Sequence, residues 1–148
     1  MVVMLDTGPL GIVTNPQNSS ETKGIREWLK CVLEAGHEVV IPEIADYELR
    51  RELVRISSSK AIVKLNELER ELTYLPLTTQ TMRKAADVWA DARNRGKPLA
   101  DEKALDGDSI LIAQAQLHPA SGSVVIATVN VGHLSLFAKA DVWRNIKP

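Results

Sequence analysis

The chain has 148 residues, 45% hydrophobic and 25% charged, which suits one domain spanning residues 1–148 with a sizeable core. A formal net charge of −1 argues against a protein that coats nucleic acid through bulk positive charge, though not against an enzyme that meets its substrate at a local basic patch. No apolar run nears the ~20 residues of a membrane span, and the opening run stops at an acid with no basic stretch before it, so the sequence reads as a cytosolic protein without membrane association.

VVMLD at residues 2–6 is expected to be a short buried strand ending on a carboxylate. Residues 7–21, rich in Gly, Pro, Asn and Ser, read mostly as loop. In residues 22–36, Ile25, Trp28, Leu29, Val32 and Leu33 recur at helical spacing, and Gly36 provides the stop. This helix holds the single cysteine, Cys31, expected to be a buried structural thiol; with no partner and no CxxC pair, a disulfide, zinc ribbon or redox motif is excluded.

HEVVIP at 37–42 is a second strand. Residues 43–56 form a helix with Leu49 and Leu53 on its apolar stripe. A serine-capped helix follows, with Ile62, Leu65, Leu68 and Leu72 inward. YLPLT is a short strand or extended link. Residues 78–96 form a long helix with Met82, Ala85, Ala86, Trp89 and Ala92 expected inward. Residues 97–107 read as a polar loop, 108–117 as a buried helix and 121–128 as the third clear strand; a turn, a short helix and a tail complete the chain. Short, nearly all-apolar strands alternating with helices indicate an α/β fold whose parallel sheet is covered on both faces.

Ligands bind at the carboxyl ends of strands in such sheets. Asp6 ends the first strand, and Thr128 and Asn130 follow the third clear one. Asp106 and Asp108 stand at the start of a helix, and Glu48 lies about one and a half turns into another. Carboxylates gathered without a cation raise each other's pKa and resist joint ionisation. Oxygen donors without Cys or His favour Mg²⁺ or Mn²⁺, and that donor set suits metal-assisted phosphodiester hydrolysis. Each residue also has a plainer role: Asp6 as a turn former, Asp106 as a helix cap, Asp108 as a partner of the helix dipole, Glu48 as a solvated acid and Asn130 as a turn residue. Arg50, Arg51 and Arg55, with Lys60, form the densest basic stretch, either a solvated face or a phosphate contact. His133 is read as a locally packed histidine, with a catalytic base as the alternative.

LDTGPL, ADYELRREL, LDGDSILIAQA and IATVNVGHLSLF, in that order, resemble the four motifs of the PIN-domain family, and within it the VapC-type toxin ribonucleases. The resemblance runs the length of the chain. It implies a three-layer α/β/α PIN-like domain with a central parallel sheet and an acidic pocket for Mg²⁺ or Mn²⁺, cleaving RNA endonucleolytically. Asp6, Glu48 and Asp108 match the three principal acids. Asp106 is an additional acid able to compete for the third role, and Asn130 stands where many relatives carry Asp. Thr128 and Thr7 are supporting residues. The resemblance further implies a homodimer and a small antitoxin partner. The alternative is a PIN-like RNA- or protein-binding module with weak or no catalysis.

Other α/β enzymes fit less well. A haloacid-type phosphatase needs an acid where Gly8 stands, the paired acids and late lysine of a receiver domain are not evident, and neither GxGxxG nor GxxxxGK[ST] occurs.

Overall fold

β1 (Val2–Leu5) and β2 (Glu38–Pro42) consist almost wholly of buried residues, as strands covered on both faces must. They join β3 (Thr73–Leu75), β4 (Val124–Thr128) and β5 (Ala140–Val142) in one parallel sheet of order β3-β2-β1-β4-β5. This computed structural model describes residues 1–96 and 105–148. Six α-helices occur among the described residues: α1 (Thr7–Thr14), α2 (Ser20–Glu34), α3 (Glu43–Arg55), α4 (Ser59–Glu71), α5 (Thr79–Asn94) and α6 (Leu105–Leu117). None of them is long and apolar enough to cross a membrane.

Strand alternation divides the core into two layers. Val3, Leu5, Val39, Ile41 and Ala127 pack with α1–α4, Trp143 and Ile146. Val2, Met4, Val40, Val124 and Ile126 pack with Val88 and Ala92 of α5 and Leu111, Ile112 and Ala115 of α6. The architecture is therefore the expected three-layer α/β/α arrangement around a parallel sheet.

Several elements differ from the sequence expectation. Residues 7–14 form a helix and not a loop: the Asp6 side chain caps it, and Pro9 lies in its first turn, where a missing N–H costs nothing. The buried face of α5 is Thr81, Ala85, Val88 and Ala92, while Met82 and Trp89 are 46% and 37% exposed. Thr81 can turn inward because its hydroxyl pairs with that of Thr78 at 2.9 Å. Ser58 occupies the cap position of α4, but its side chain makes no capping bond; backbone contacts such as Ser58 N–H to Leu53 O (2.9 Å) close that turn. Cys31 is half-buried, with its thiol 3.9 Å from Glu27 Oε1. Leu33 is exposed. Residues 105–107 belong to α6, and 97–104 of the expected polar loop lie outside the described residues. The tail contributes β5, a short strand beside β4.

Two polar junctions hold α3 and α6 in place. Gln114, 2% exposed on α6, donates to Leu75 O at 2.9 Å and its Oε1 accepts from Ile44 N–H at 3.4 Å, tying α6 to β3 and to the start of α3. Arg50 on α3 reaches Asp46 (3.0 Å), Asn66 (2.9 Å) and Glu69 (3.0 Å), and the Tyr74 hydroxyl donates to Asp46 at 2.8 Å. This network joins α3, α4 and β3. It engages Arg50 as a structural cation, and Arg55 is likewise paired with Glu52.

Burial, followed by the hydrogen bond and charge of Asp46, pushes Glu69 from 4.5 up to about 7 against the opposing pull of Arg50. A carboxyl that binds its proton more tightly when folded favours folding at low pH. Unfolding stability is therefore expected to fall as pH rises from about 4.5 to about 7. Denaturant titrations across that window should show this slope in the wild type and a shallower one in Glu69→Gln.

Candidate active site

The chain leaves β1 for β2 on one side and later returns to β4 on the other, so the carboxyl ends of β1 and β4 form the switch point of the sheet. Asp6 sits there. Its backbone N–H continues the ladder to Ala127 O at 3.0 Å, after which α1 begins. Its Oδ1 accepts the Thr7 N–H at 2.7 Å, and its Oδ2 accepts the Thr128 hydroxyl at 2.9 Å. One carboxylate thus caps a helix and bridges two strand ends.

Thr7 carries the site onward. Its hydroxyl donates to Glu48 Oε1 at 3.0 Å, so Asp6 and Glu48 are separated by a single residue's donors. Glu48 faces this way because Leu49 and Leu53 anchor the adjacent stripe of α3 in the core. Arg51 lies 3.8 Å from Glu48 Oε2 and over the Tyr47 ring at 5.1 Å from its centroid.

From the other side, the first turn of α6 closes on Glu48. A Cβ on Gly107 would stand 2.6 Å from Glu48 Oε2, so a side chain there would push the Glu48 carboxylate aside. Asp106 and Asp108 flank Gly107 on that turn; Asp106 is exposed and Asp108 half-buried. Being two residues apart, they leave the helix in different directions.

The loop after β4 rests against α1, where a Cβ on Gly8 would meet Val129 Cγ2 at 2.8 Å. Asn130 reaches the same end of the sheet, its N–H donating to Thr128 Oγ1 at 3.3 Å. Its own amide oxygen accepts from Gly132 N–H at 3.1 Å, closing a turn. His133 is exposed in that loop and its side chain does not cap the short helical turn that follows.

Electrostatics set Asp6 and Glu48 apart. Burial raises the Asp6 pKa above its ordinary value, against the lowering effect of its bonds from Thr7 and Thr128. Burial also raises Glu48, as does the charge of Asp6, while Thr7 and Arg51 oppose the rise. Two partly desolvated carboxylates, Glu48 further hindered by the charge of Asp6, are poised to gain from a shared cation.

The donor chemistry fits a hard divalent ion, being all oxygen. The arrangement is not a finished cage: no group of three or more acids, histidines or cysteines stands close enough to hold a metal among the described residues. Magnesium is commonly held by only one or two carboxylates, with water and substrate phosphate completing its shell, which two linked acids satisfy. Thr7, expected to support Asp6, also reaches Glu48, and Gly107 is the residue that sequence reasoning did not assign to this junction. The signal for Gly107 was available, since glycine between two acids at a helix start is otherwise unfavourable.

Gly107 supplies a direct test. On an ordinary helix, Gly→Ala stabilises. Here the added methyl would push the flexible tip of Glu48 aside, so Gly107→Ala is expected to stay within about 1 kcal/mol of wild type in urea denaturation while weakening Mn²⁺ binding; unchanged Mn²⁺ binding would contradict this packing.

Three solved structures place this geometry among known folds. The chain is similar to DNA-bound VapBC from Salmonella typhimurium (TM-score 0.72, 18% identity, covering 97% of this chain and 98% of that one). It is similar to VapBC2 from Rickettsia felis bound to a promoter DNA fragment (TM-score 0.70, 15% identity, covering 97% and 99%). It is also similar to FitAcB from Neisseria gonorrhoeae (TM-score 0.68, 21% identity, covering 97% and 99%). At these identities the likeness is one of fold. No curated protein matches the chain. A model of the PIN domain matches residues 3–131, spanning Asp6, Glu48, both α6 acids and Asn130, and the chain belongs to the PIN domain family.

Proposed function

We propose that this chain is a single-domain, cytoplasmic, metal-dependent endoribonuclease of the VapC type, the toxin of a toxin–antitoxin pair. The observation that carries this reading is the Asp6–Thr7–Glu48 junction at the switch point, with the acid-bearing first turn of α6 packed on Glu48. PIN nucleases generally use divalent metals. Asp6 and Glu48, with Asp108 or Asp106, would hold Mg²⁺ or Mn²⁺. The bound ion supplies neutralisation of charge at the phosphate and activation of the attacking water.

The protein's own groups position that chemistry. Thr128 and the Thr7 N–H fix both oxygens of Asp6, and the Thr7 hydroxyl fixes one oxygen of Glu48. Arg51, 3.8 Å from Glu48 at the same mouth, would contact a substrate phosphate there. Asn130 shapes the β4 loop through its turn with Gly132, and its lack of charge leaves the site one carboxylate short of the relatives it resembles. Similarity to VapBC complexes supports an antitoxin partner, and a homodimer is part of the same proposal.

A second reading, a PIN-like binding module with weak or no catalysis, is favoured by Asn130, a neutral residue on the loop after β4.

The test is cleavage of a mixed set of structured and single-stranded RNAs with Mg²⁺, Mn²⁺ or EDTA. Wild type is expected to cleave only with metal, and Asp6→Asn to lose cleavage. Because burial disfavours the charged form of Asp6, Asp6→Asn is also expected to melt higher than wild type without metal at neutral pH. RNA binding by wild type without turnover in either metal supports the binding-module reading instead.

A further inference from the structure

Beside the acidic junction lies a second feature that the metal chemistry does not use. Met82, Ala85, Ala86 and Trp89 of α5 and Asp106, Ser109 and Ile110 of α6 line a groove of about 370 Å³. Met82 and Trp89 expose large apolar surface into it, the side of α5 that sequence patterning placed in the core. The groove adjoins the candidate site through α6: Asp106 lines it, and the next residue, Gly107, touches Glu48.

We propose that this groove is a subsite for one unpaired nucleobase of the RNA substrate, stacked against Trp89 and hydrogen-bonded at its edge by Ser109. The proposal rests on the ribonuclease reading and names where that site takes hold of its substrate.

Three observations carry it. The Arg93 guanidinium lies over the Trp89 ring, 4.9 Å from its centroid, which extends the stacking surface with a cation. Indole and guanidinium planes are the surfaces on which splayed-out RNA bases stack. Ser109 is 2% exposed, and its hydroxyl has no hydrogen-bond partner among the described residues. A buried hydroxyl left unsatisfied is costly, and rotation about its one side-chain torsion would offer it to a polar edge arriving in the groove.

Charge favours a nucleic acid over an apolar peptide. Arg83, Lys84 and Arg93 all lie on α5, Arg93 over the groove's own Trp89, and Asp91 is taken by Arg95 at 2.9 Å. Asp87 opposes them from the same helix and Asp106 from the groove's own lining, three cations against two acids. A base seated here would belong to a nucleotide near the cleaved bond, since the groove and the acids share the first turn of α6.

The experiment measures binding separately from cleavage. Labelled, short, random-sequence single-stranded RNA is titrated with the full chain in Ca²⁺ and followed by anisotropy, with cleavage in Mg²⁺ and Mn²⁺ run in parallel. Trp89→Ala is expected to weaken binding about tenfold, in the range that loss of one base–aromatic stack produces. Trp89→Phe should bind nearly as wild type, and Ala86→Glu should weaken binding as Trp89→Ala does. Trp28 and Trp143 are buried, so RNA should quench tryptophan emission chiefly through Trp89. Ser109→Ala should flatten the preference among bases at one position.

Equal binding by wild type and Trp89→Ala, or no RNA binding by wild type, overturns the subsite. So does a Trp89→Ala variant that changes only the oligomeric state or the binding of a protein partner. Trp89-dependent binding without cleavage supports the subsite and defeats the nuclease reading. Cleavage with binding indifferent to Trp89 does the reverse.

Discussion

Everything at the candidate site depends on how the Asp6 carboxylate is held. One oxygen caps α1 and the other takes the Thr128 hydroxyl from the neighbouring strand. These bonds fix the acid where the sheet splits, but they only partly offset the cost of burying its charge. Thr7 then couples Asp6 to Glu48, a residue 41 positions away in sequence. A pair of acids held in this state is less stable than a neutral pair would be, and a cation reverses that balance. The arrangement sacrifices stability at the place where chemistry is proposed, a common pattern for functional sites.

The rest of the fold holds the second and third contributors in reach of the first. Gln114 ties α6 to the start of α3, so the helix bearing Asp106 and Asp108 and the helix bearing Glu48 share an anchor. The Arg50 network fixes α3 against α4 and β3 from the far side. Gly107 then leaves room for the Glu48 carboxylate against the first turn of α6. Removing either anchor would loosen the acids without touching them.

The strands were legible because parallel strands covered on both faces leave unbroken apolar runs, and β1, β2 and β4 each have one. β5 was not, being three half-buried residues at an edge. α1 was hidden because Gly8, Pro9 and Gly11 look like loop residues, whereas Asp6 capping and close packing on Val129 and Leu49 make them helical. α5 was recognised as a helix and Ala85 and Ala92 were rightly placed inward, but Met82, Ala86 and Trp89 were expected there in place of Thr81 and Val88, since the Thr78–Thr81 pairing that lets the polar side turn inward does not show in the sequence. Among the candidate ligands, Asp6 and Glu48 could each be singled out from local sequence. Their linkage through Thr7 could not, because that contact is set by tertiary packing.

We propose that Asp6 and Glu48 share a divalent cation. Calorimetric titration of Mn²⁺ in two buffers of different ionisation enthalpy tests it most directly, because it counts protons as well as ions. The account predicts binding by wild type with net proton release that grows as pH falls, reflecting two carboxylates whose pKa values lie above normal, and loss of that binding in Asp6→Asn. Mn²⁺ binding of equal strength in wild type and Asp6→Asn, or none in either, would contradict it.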